Sequence, residues 1–414
     1  MRCDVIVLGA GIVGIGAALN LQEKGRSVVL VDRSGPGEGT SFGNAGLIQR
    51  EAILPYTFPD DPVTLIQAAL NVRVDAYYQF ADLRKVAPWL YEYWKHSFAD
   101  KVEASARARA PLFEICLSEH DKLAAKAGAT AQLRRGGWLK VFSKEKSLVD
   151  EMAKAKSLEG FNVQWEAVSR EKLSEMEPHL TGDLIGAVHW KEPYSLAEPL
   201  ALSLAYEKLF EQQGGRFLKG DARSLRQENG DWSVQTAEGV ITARDVLVAL
   251  GPWANDVTEP LGYKLPLGVK RGYHMHYKAE GNATLNHPVL DGDTGYLIAP
   301  MTHGIRLTTG AEFADRDAPP SYVQLERAEP IARSIFPLGS RVDSQPWLGR
   351  RPCTPDMVPI MGPAPRHPGL WFSFAHAHHG LTLAGSAGRF MAELMTGQDT
   401  FCDATPYRAE RFSS

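Results

Sequence analysis

The strongest constraint on this chain lies in its first 32 residues. Val5-Ile6-Val7-Leu8 is a short apolar run of strand type, and Gly9-Ala10-Gly11-Ile12-Val13-Gly14 follows it directly. A helical stretch rich in small and apolar residues (Ala17, Ala18, Leu21) closes at Gly25, and a second apolar run, Val28–Val31, ends on Asp32. This is a G-x-G-x-x-G turn with an acid at the distance that a ribose hydroxyl requires. Gly9 permits the tight turn, Gly11 lets the backbone approach a pyrophosphate, and Gly14 lets the helix pack close on the strand. Ile12 and Val13 open that helix, whose free N–H groups and partial positive charge face the phosphates. The turn specifies an ADP-bearing dinucleotide and leaves NAD and FAD both open. Arg33 suits a 2′-phosphate, but the Asp32 carboxylate beside it opposes one.

Bulk properties exclude several classes. A length of 414 residues predicts two domains, and a composition of 44% hydrophobic and 23% charged residues is that of an ordinary soluble protein. A net charge of −4 gives nucleic-acid binding no electrostatic support. Cys3, Cys116, Cys353 and Cys402 are scattered with no C-x-x-C pair, which suits a reducing compartment and argues against a disulfide framework or a zinc site. The N-terminal apolar run lacks the ends of a signal peptide, and no stretch has the length of a membrane span, so a cytoplasmic protein is expected. The run Ala87-Pro88-Trp89-Leu90-Tyr91-Glu92-Tyr93-Trp94 reads as buried packing or as a peripheral contact with the inner face of the cytoplasmic membrane. The sequence leaves the oligomeric state open.

Along the chain, residues 60–130 are helical in pattern. A strand is expected at Trp138–Phe142, a helix at 145–158, and a strong helix from Glu198-Pro199 to 213. Short strands follow at 216–219, 232–236, 239–243 and 245–249, and the last runs into Gly251-Pro252-Trp253. Residues 262–345 alternate like a mostly antiparallel sheet, and 346–362 are rich in Pro and Gly. A strand at Trp371–Ala375 then leads through a Gly/His turn into a helix from Thr382 to Met395. Nucleotide-type segments thus occur at the start, middle and end. The expected fold is α/β (α+β overall), with two interleaved domains. A discontinuous Rossmann-like nucleotide-binding domain takes 1–50, 195–260 and 346–414. A substrate domain of mixed, largely antiparallel sheet with a helical insertion takes 51–194 and 261–345.

Four further segments narrow the reading: Gly39-Thr40-Ser41-Phe42-Gly43-Asn44-Ala45-Gly46, Ala249-Leu250-Gly251-Pro252-Trp253, Gly349-Arg350-Arg351-Pro352-Cys353-Thr354-Pro355-Asp356 and Ala375-His376-Ala377-His378-His379-Gly380-Leu381-Thr382. With them, nearly the whole chain resembles, in order, the FAD-dependent D-amino-acid oxidase/dehydrogenase superfamily, with its FAD domain of glutathione-reductase type. Within it the chain is most similar to the bacterial D-amino-acid dehydrogenase and glyphosate oxidoreductase branch. The resemblance implies FAD in place of NAD. It also implies oxidation of a C–N bond beside a carboxylate, with hydride passing to the flavin N5, an imine or 2-oxo acid as product, and electrons going to a quinone or other carrier. Some relatives attach flavin through a cysteine several residues upstream of Thr-Pro-Asp. This chain has Gly349 there and Cys353 next to Thr354, so non-covalent FAD is expected.

Site residues follow. Thr40, Ser41, Asn44, Ala45, Gly46 and Leu47 are expected to cradle phosphate and the flavin edge, or else to keep a turn for its shape. Ala249, Gly251 and Trp253 line the cofactor from the middle strand. Gly380, Leu381 and Thr382 aim a helix N-terminus at the flavin pyrimidine, where a positive end stabilises reduced flavin. Arg351 matches the family's Gly-x-Arg-Pro arginine and is the expected bidentate grip on a substrate carboxylate; a structural arginine is the alternative. Tyr273 matches a substrate-facing family position, but strand alternation prevents Tyr273 and His274 from both facing inward, and a core tyrosine competes. Tyr296 and Arg306 are further candidates on neighbouring strands. His376 and His378 invite a metal, yet no acid or cysteine ligand accompanies them in that segment, so none is expected and His378 is assigned to flavin or substrate.

The leading functional reading is oxidation of a D-amino acid or cyclic imino acid of D-proline or hydroxy-D-proline type. One alternative is an oxidase or dehydrogenase of N-substituted glycines such as sarcosine, glyphosate or opine-like amines. A non-catalytic FAD-binding subunit is the alternative from another class. The lack of an evident acid for gripping a basic side chain favours a small or apolar substrate.

Overall fold

The computed structural model describes residues 1–412. Four parallel strands form the centre of the first sheet, in the order Gly239–Val248, Arg2–Leu8, Val28–Asp32 and Arg216–Lys219. Val5–Leu8 and Val28–Val31 are buried throughout, as parallel strands covered on both faces require. The expected strands 239–243 and 245–249 are one. Residues Thr242–Val248 pair continuously with Arg2–Leu8, while on the other edge the partner changes. Thr236–Trp232 pair antiparallel with the first half, and Leu370–Phe372 pair parallel with Val246–Val248.

Helix Ile12–Glu23 crosses helix Gly380–Met395 on this sheet. The second helix starts two residues before the expected Thr382. The crossing is close because Gly16 lies against the Ala384 carbonyl, where a β-carbon would stand 2.3 Å from the oxygen. Helices Ala99–Glu114 and Cys116–Lys126 cover the far side of Gly380–Met395, so Leu112, Phe113, Cys116 and Leu123 join the same core as Ile15 and Ala384.

The second sheet has eleven strands, mostly antiparallel, organised around the long strand Gly268–Ala279. Gly304–Thr308 and Ala311–Phe313 flank it on one edge, and Trp347–Cys353 and Leu338–Arg341 on the other. Trp347–Cys353 was expected with the nucleotide-type segments, but its backbone belongs to this sheet, with Lys270 opposite Arg351 and Gly272 opposite Gly349. Helix Val323–Ile335 was not expected among the strands of 262–345. Its buried Leu325, Ala328, Ala332 and Ile335 share one helical face and pack with Met275 and Tyr277.

The aromatic run at 87–94 divides by face. Helix Leu83–Lys95 buries Tyr93 and leaves Tyr91 and Trp94 exposed, while the preceding helix Pro62–Ala69 buries no residue. Among the described residues, no helix is long and apolar enough to cross a membrane.

Replacing Gly16 by Val should drive its side chain into the Ala384 carbonyl and push the two helices apart. An urea unfolding midpoint below that of the native chain is expected, with a loss of about 3 kcal/mol, the upper end of the usual overpacking range.

Candidate active site

One cavity of about 610 Å³ runs from the turn at Gly9–Val13 to the second sheet. At its first end Gly9 has φ +108°, and a β-carbon there would stand 2.4 Å from the Ala249 carbonyl oxygen. Gly14 is equally confined, its β-carbon position lying 1.9 Å from the Gly9 oxygen. Gly11 differs. Only the Ser41 Oγ comes near, at 3.3 Å, so the space over its backbone is open to the cavity. Asp32 accepts from the Ala10 N–H at 2.8 Å and the Ser34 N–H at 3.0 Å, one on each oxygen, which fixes the carboxylate and leaves lone pairs for a ribose. Arg33 stacks on Trp253 at 4.5 Å, and both line the cavity.

The loop after Asp32 is held from several directions. Ser41 accepts from the Ile12 N–H at 3.0 Å, and Thr40 donates to the Arg350 carbonyl at 3.0 Å. Asn44 Oδ1 accepts from the Gly46 N–H at 2.8 Å, and its carbonyl accepts from Arg306. Arg306 in turn donates to His276 Nε2 at 3.0 Å, and His276 Nδ1 faces Asp343 at 2.8 Å. Arg306 is therefore a brace for the loop and does not line the cavity. Gly39, Thr40, Ser41, Gly43, Asn44, Ala45 and Leu47 do line it; Gly46, with φ +75°, turns the chain against the Leu196 carbonyl.

The third wall is a bend. Ala375 and Ala377 carry φ +64° and +53°, a conformation that costs energy for residues with a β-carbon. They flank His376, so the chain bends sharply between the strand and His378. The bend is tied to the second sheet through the Ala377 N–H to the Pro352 carbonyl at 2.9 Å and a bridge between Cys353 and His376. His378 lies on the cavity with its ring edge-on to Tyr56, 5.1 Å between centroids. Burial and the nearby Arg351, Arg109 and Lys270 charges hold it well below the usual histidine range, so it is neutral at pH 7. Gly380 and Leu381 follow at the helix start and line the cavity.

Arg351 projects from Trp347–Cys353 into the cavity and lies flat over Gly272, where a β-carbon would meet its Nη2 at 2.4 Å. Its guanidinium donates to the Gly310 carbonyl at 2.7 Å and the Thr309 carbonyl at 3.2 Å. Two groups that sequence reasoning missed stand beside it. Lys270 places its ammonium 3.8 Å from the Tyr93 ring, and burial lowers its pKa to about 8. Arg109 donates to the Ala52 carbonyl at 2.8 Å and faces His379 Nδ1 at 3.3 Å, while its Nη1 has no partner. Lys270 was legible in principle, since alternation along 268–274 puts it on the face of Gly272. Arg109 sits mid-helix in a charged stretch and carries no local signal.

Four sequence expectations need correction. Tyr273 borders the cavity, but its hydroxyl donates to Glu312 at 2.6 Å and accepts from Arg271 at 2.9 Å and the Ser321 N–H at 2.8 Å. That exhausts a phenol's capacity and leaves nothing for a carboxylate. Tyr296 is a core residue packed with Met275 and Ile298. His274 stacks on Trp347, 4.9 Å between centroids, and bonds the Gly43 carbonyl at 3.1 Å; it supports the wall without lining it. Thr382 likewise stands behind the cavity, its hydroxyl accepting from the Gln49 N–H at 3.1 Å.

Comparison with known proteins decides the family. The model of the DAO family, FAD dependent oxidoreductase, matches residues 4–394. The chain belongs to this family. A D-amino-acid oxidase of Bradyrhizobium diazoefficiens is 25% identical over 418 residues, covering 99% of this chain and 98% of its own. The glycine oxidase of Geobacillus kaustophilus superposes with a TM-score of 0.74 at 21% identity, over 99% of both chains. The iminodiacetate oxidase of Chelativorans sp. BNC1 gives 0.71 at 21% identity, over 98% of both. The chain is thus an FAD-dependent oxidoreductase, and the reading as a non-catalytic subunit is set aside.

The cavity fits FAD on its own chemistry. The open backbone at Gly11 suits the pyrophosphate, Asp32 the ribose, and the Arg33–Trp253 stack the adenine end. Buried Thr308 Oγ1 and Ser373 Oγ line the cavity without hydrogen-bond partners, as groups awaiting a polar ligand do. Cys353, the one cysteine lining the cavity among the described residues, turns its thiol to the Arg351 carbonyl at 3.4 Å.

Gly11 has ordinary φ (−70°), so Gly11→Val should fold, yet fill the pyrophosphate space. The purified variant is expected to unfold like the apoprotein and to bind FAD at least ~100-fold more weakly in fluorescence titration. Tyr273→Phe should instead lower stability by about 1–3 kcal/mol, by unsatisfying buried Glu312, while FAD affinity stays within about twofold.

Proposed function

We propose that this enzyme oxidises the C–N bond adjacent to the carboxylate of a D-amino acid or cyclic imino acid, giving an imine that water hydrolyses to the 2-oxo acid. The observation that carries this reading is Arg351. Its guanidinium is pinned by two carbonyls on the cavity wall and, among the described residues, faces no carboxylate of the protein. An arginine fork so held is organised for a carboxylate ligand and would fix the adjacent carbon in one place. The D-amino-acid oxidase relative supports the same substrate class.

Bound FAD would supply the two-electron acceptor for the substrate hydride. The chain's own residues would do the rest. Arg351 orients the substrate through its carboxylate. The positive field of Arg351, Arg109 and Lys270 disfavours an ammonium and so favours the neutral amine, the form able to release hydride. No side-chain base is then required, and neutral His378 can hydrogen-bond the amine without taking its proton. The helix beginning at Gly380 would direct its positive end toward the charge that develops on the cofactor.

Oxidation of N-substituted glycines is the second reading, favoured by the concentration of cations at this end of the cavity and by the similarity to an iminodiacetate oxidase. We assign the electrons to a quinone or other carrier. The exposed Tyr91, Trp94 and Phe98 would suit a peripheral contact with a membrane that holds such a carrier.

Anaerobic mixing with a library of amino and imino acids should bleach the flavin, and the amide of an active substrate should not bleach it. In Arg351→Met the apparent Kd for the active acid should rise at least ~100-fold, with FAD still bound. Bleaching by acid and amide alike would remove the carboxylate grip. Stoichiometric peroxide formed with O₂ alone, at the rate seen with an artificial acceptor, would remove the carrier assignment.

A further inference from the structure

The substrate end of the cavity holds three cations and no acid to match them. Lys270 and Arg109 are 8% and 2% exposed, and both line the cavity with Arg351. Other basic groups on this side are already compensated: Lys140 pairs with Glu151 and Arg73 with Asp75, each at 2.6 Å. The remaining acids on the cavity wall, Asp32, Asp221 and Asp256, belong to the nucleotide end.

A carboxylate on Arg351 would leave the other two uncompensated. The Lys270 ammonium has no hydrogen-bond acceptor among the described residues. Three aromatic rings stand round it, Tyr93 at 3.8 Å, Trp89 at 5.7 Å and Phe313 at 5.9 Å. Arg109 keeps its Nη1 buried and unpartnered. Buried charge without a partner is costly, and it is tolerated where a ligand completes it. Lys270 and Arg351 are opposite partners on adjacent antiparallel strands, so their side chains leave one face with β-carbons about 5 Å apart. Arg109 lines the same cavity, its guanidinium 3.3 Å from His379, whose ring lies 3.7 Å from that of His378.

Resting on the reading that the enzyme oxidises a carboxylate-bearing amine, we propose that its substrate carries a second acidic group, received by Lys270 and Arg109 while Arg351 holds the first. The expectation of a small or apolar substrate came from missing acids alone; the cations turn the same absence into a preference for a dianion. The second acid can sit on the side chain, as in an aminodicarboxylate, or on a nitrogen substituent.

The oxidised holoenzyme separates these cases when titrated anaerobically with two matched pairs, D-alanine against D-aspartate and N-methylglycine against N-(carboxymethyl)glycine. Binding is read from the shift of the flavin absorbance and from calorimetry, and bleaching from stopped-flow traces. In at least one pair the dicarboxylate should bind at least ~10-fold more tightly, and Lys270→Met should reduce that preference to about twofold, with Lys270→Arg restoring it. The pair that shows the preference says where the second acid sits. The comparison on the native enzyme stands even if a variant does not fold. Equal binding within both pairs would overturn the inference, as would a preference unchanged in a folded Lys270→Met. If the monocarboxylates bleach the flavin and no dicarboxylate preference exists, the amine-oxidation reading survives and this one falls. If the dicarboxylates bind tightly through Lys270 and none of the four bleaches the flavin, the anion site stands and the oxidation reading falls.

Discussion

The site depends on one strand that serves two sheets. Trp347–Cys353 is hydrogen-bonded along Gly268–Ala279, yet its backbone also reaches the nucleotide-binding half at two points. The Arg350 carbonyl accepts from Thr40, and the Pro352 carbonyl accepts from the Ala377 N–H in the histidine bend. Arg351 lies between those two ties. Its position relative to the cofactor bed is therefore set by hydrogen bonds to the carbonyls on either side of it, one from the Thr40 hydroxyl and one from the Ala377 N–H. Chemistry at a bound cofactor tolerates little misplacement, and ties of this kind supply rigidity.

Around that strand, electrostatics divides the cavity. The nucleotide end offers a helix N-terminus, open N–H groups and a fixed carboxylate, a combination suited to phosphates and a ribose. The other end concentrates Arg351, Lys270 and Arg109 behind aromatic and apolar walls, where charges interact more strongly than in water. Arg271 and Glu312 show the contrast. They form an ion pair at 2.9 Å with both side chains fully buried, and the Tyr273 hydroxyl donates to the same carboxylate. That cluster is electrically closed and structural, whereas the cations of the cavity face are open.

The nucleotide turn was legible because its glycines, apolar strand and acid are all local, each within one strand-turn-helix unit. Arg351 was singled out by a motif that resembles a family's, and it lies on the cavity wall. Tyr273 was misplaced for a reason that one sequence cannot remove. Along Gly268–Ala279 the alternation of faces was clear, but the groups that occupy the Tyr273 hydroxyl, Glu312 and the Ser321 N–H, lie 39 and 48 positions away.

The sequence by itself determined the dinucleotide turn and the alternating order of strand and helix segments. These follow from short-range periodicity and from the special backbone requirements of glycine, which act within a dozen residues. Only the tertiary structure decided which charges share a cavity. Lys270, Arg109 and Arg351 come from a strand, a helix and a second strand, and Lys270 and Arg109 read locally as ordinary surface cations. What makes them a site is burial together without acids, a property of long-range packing that no local pattern encodes.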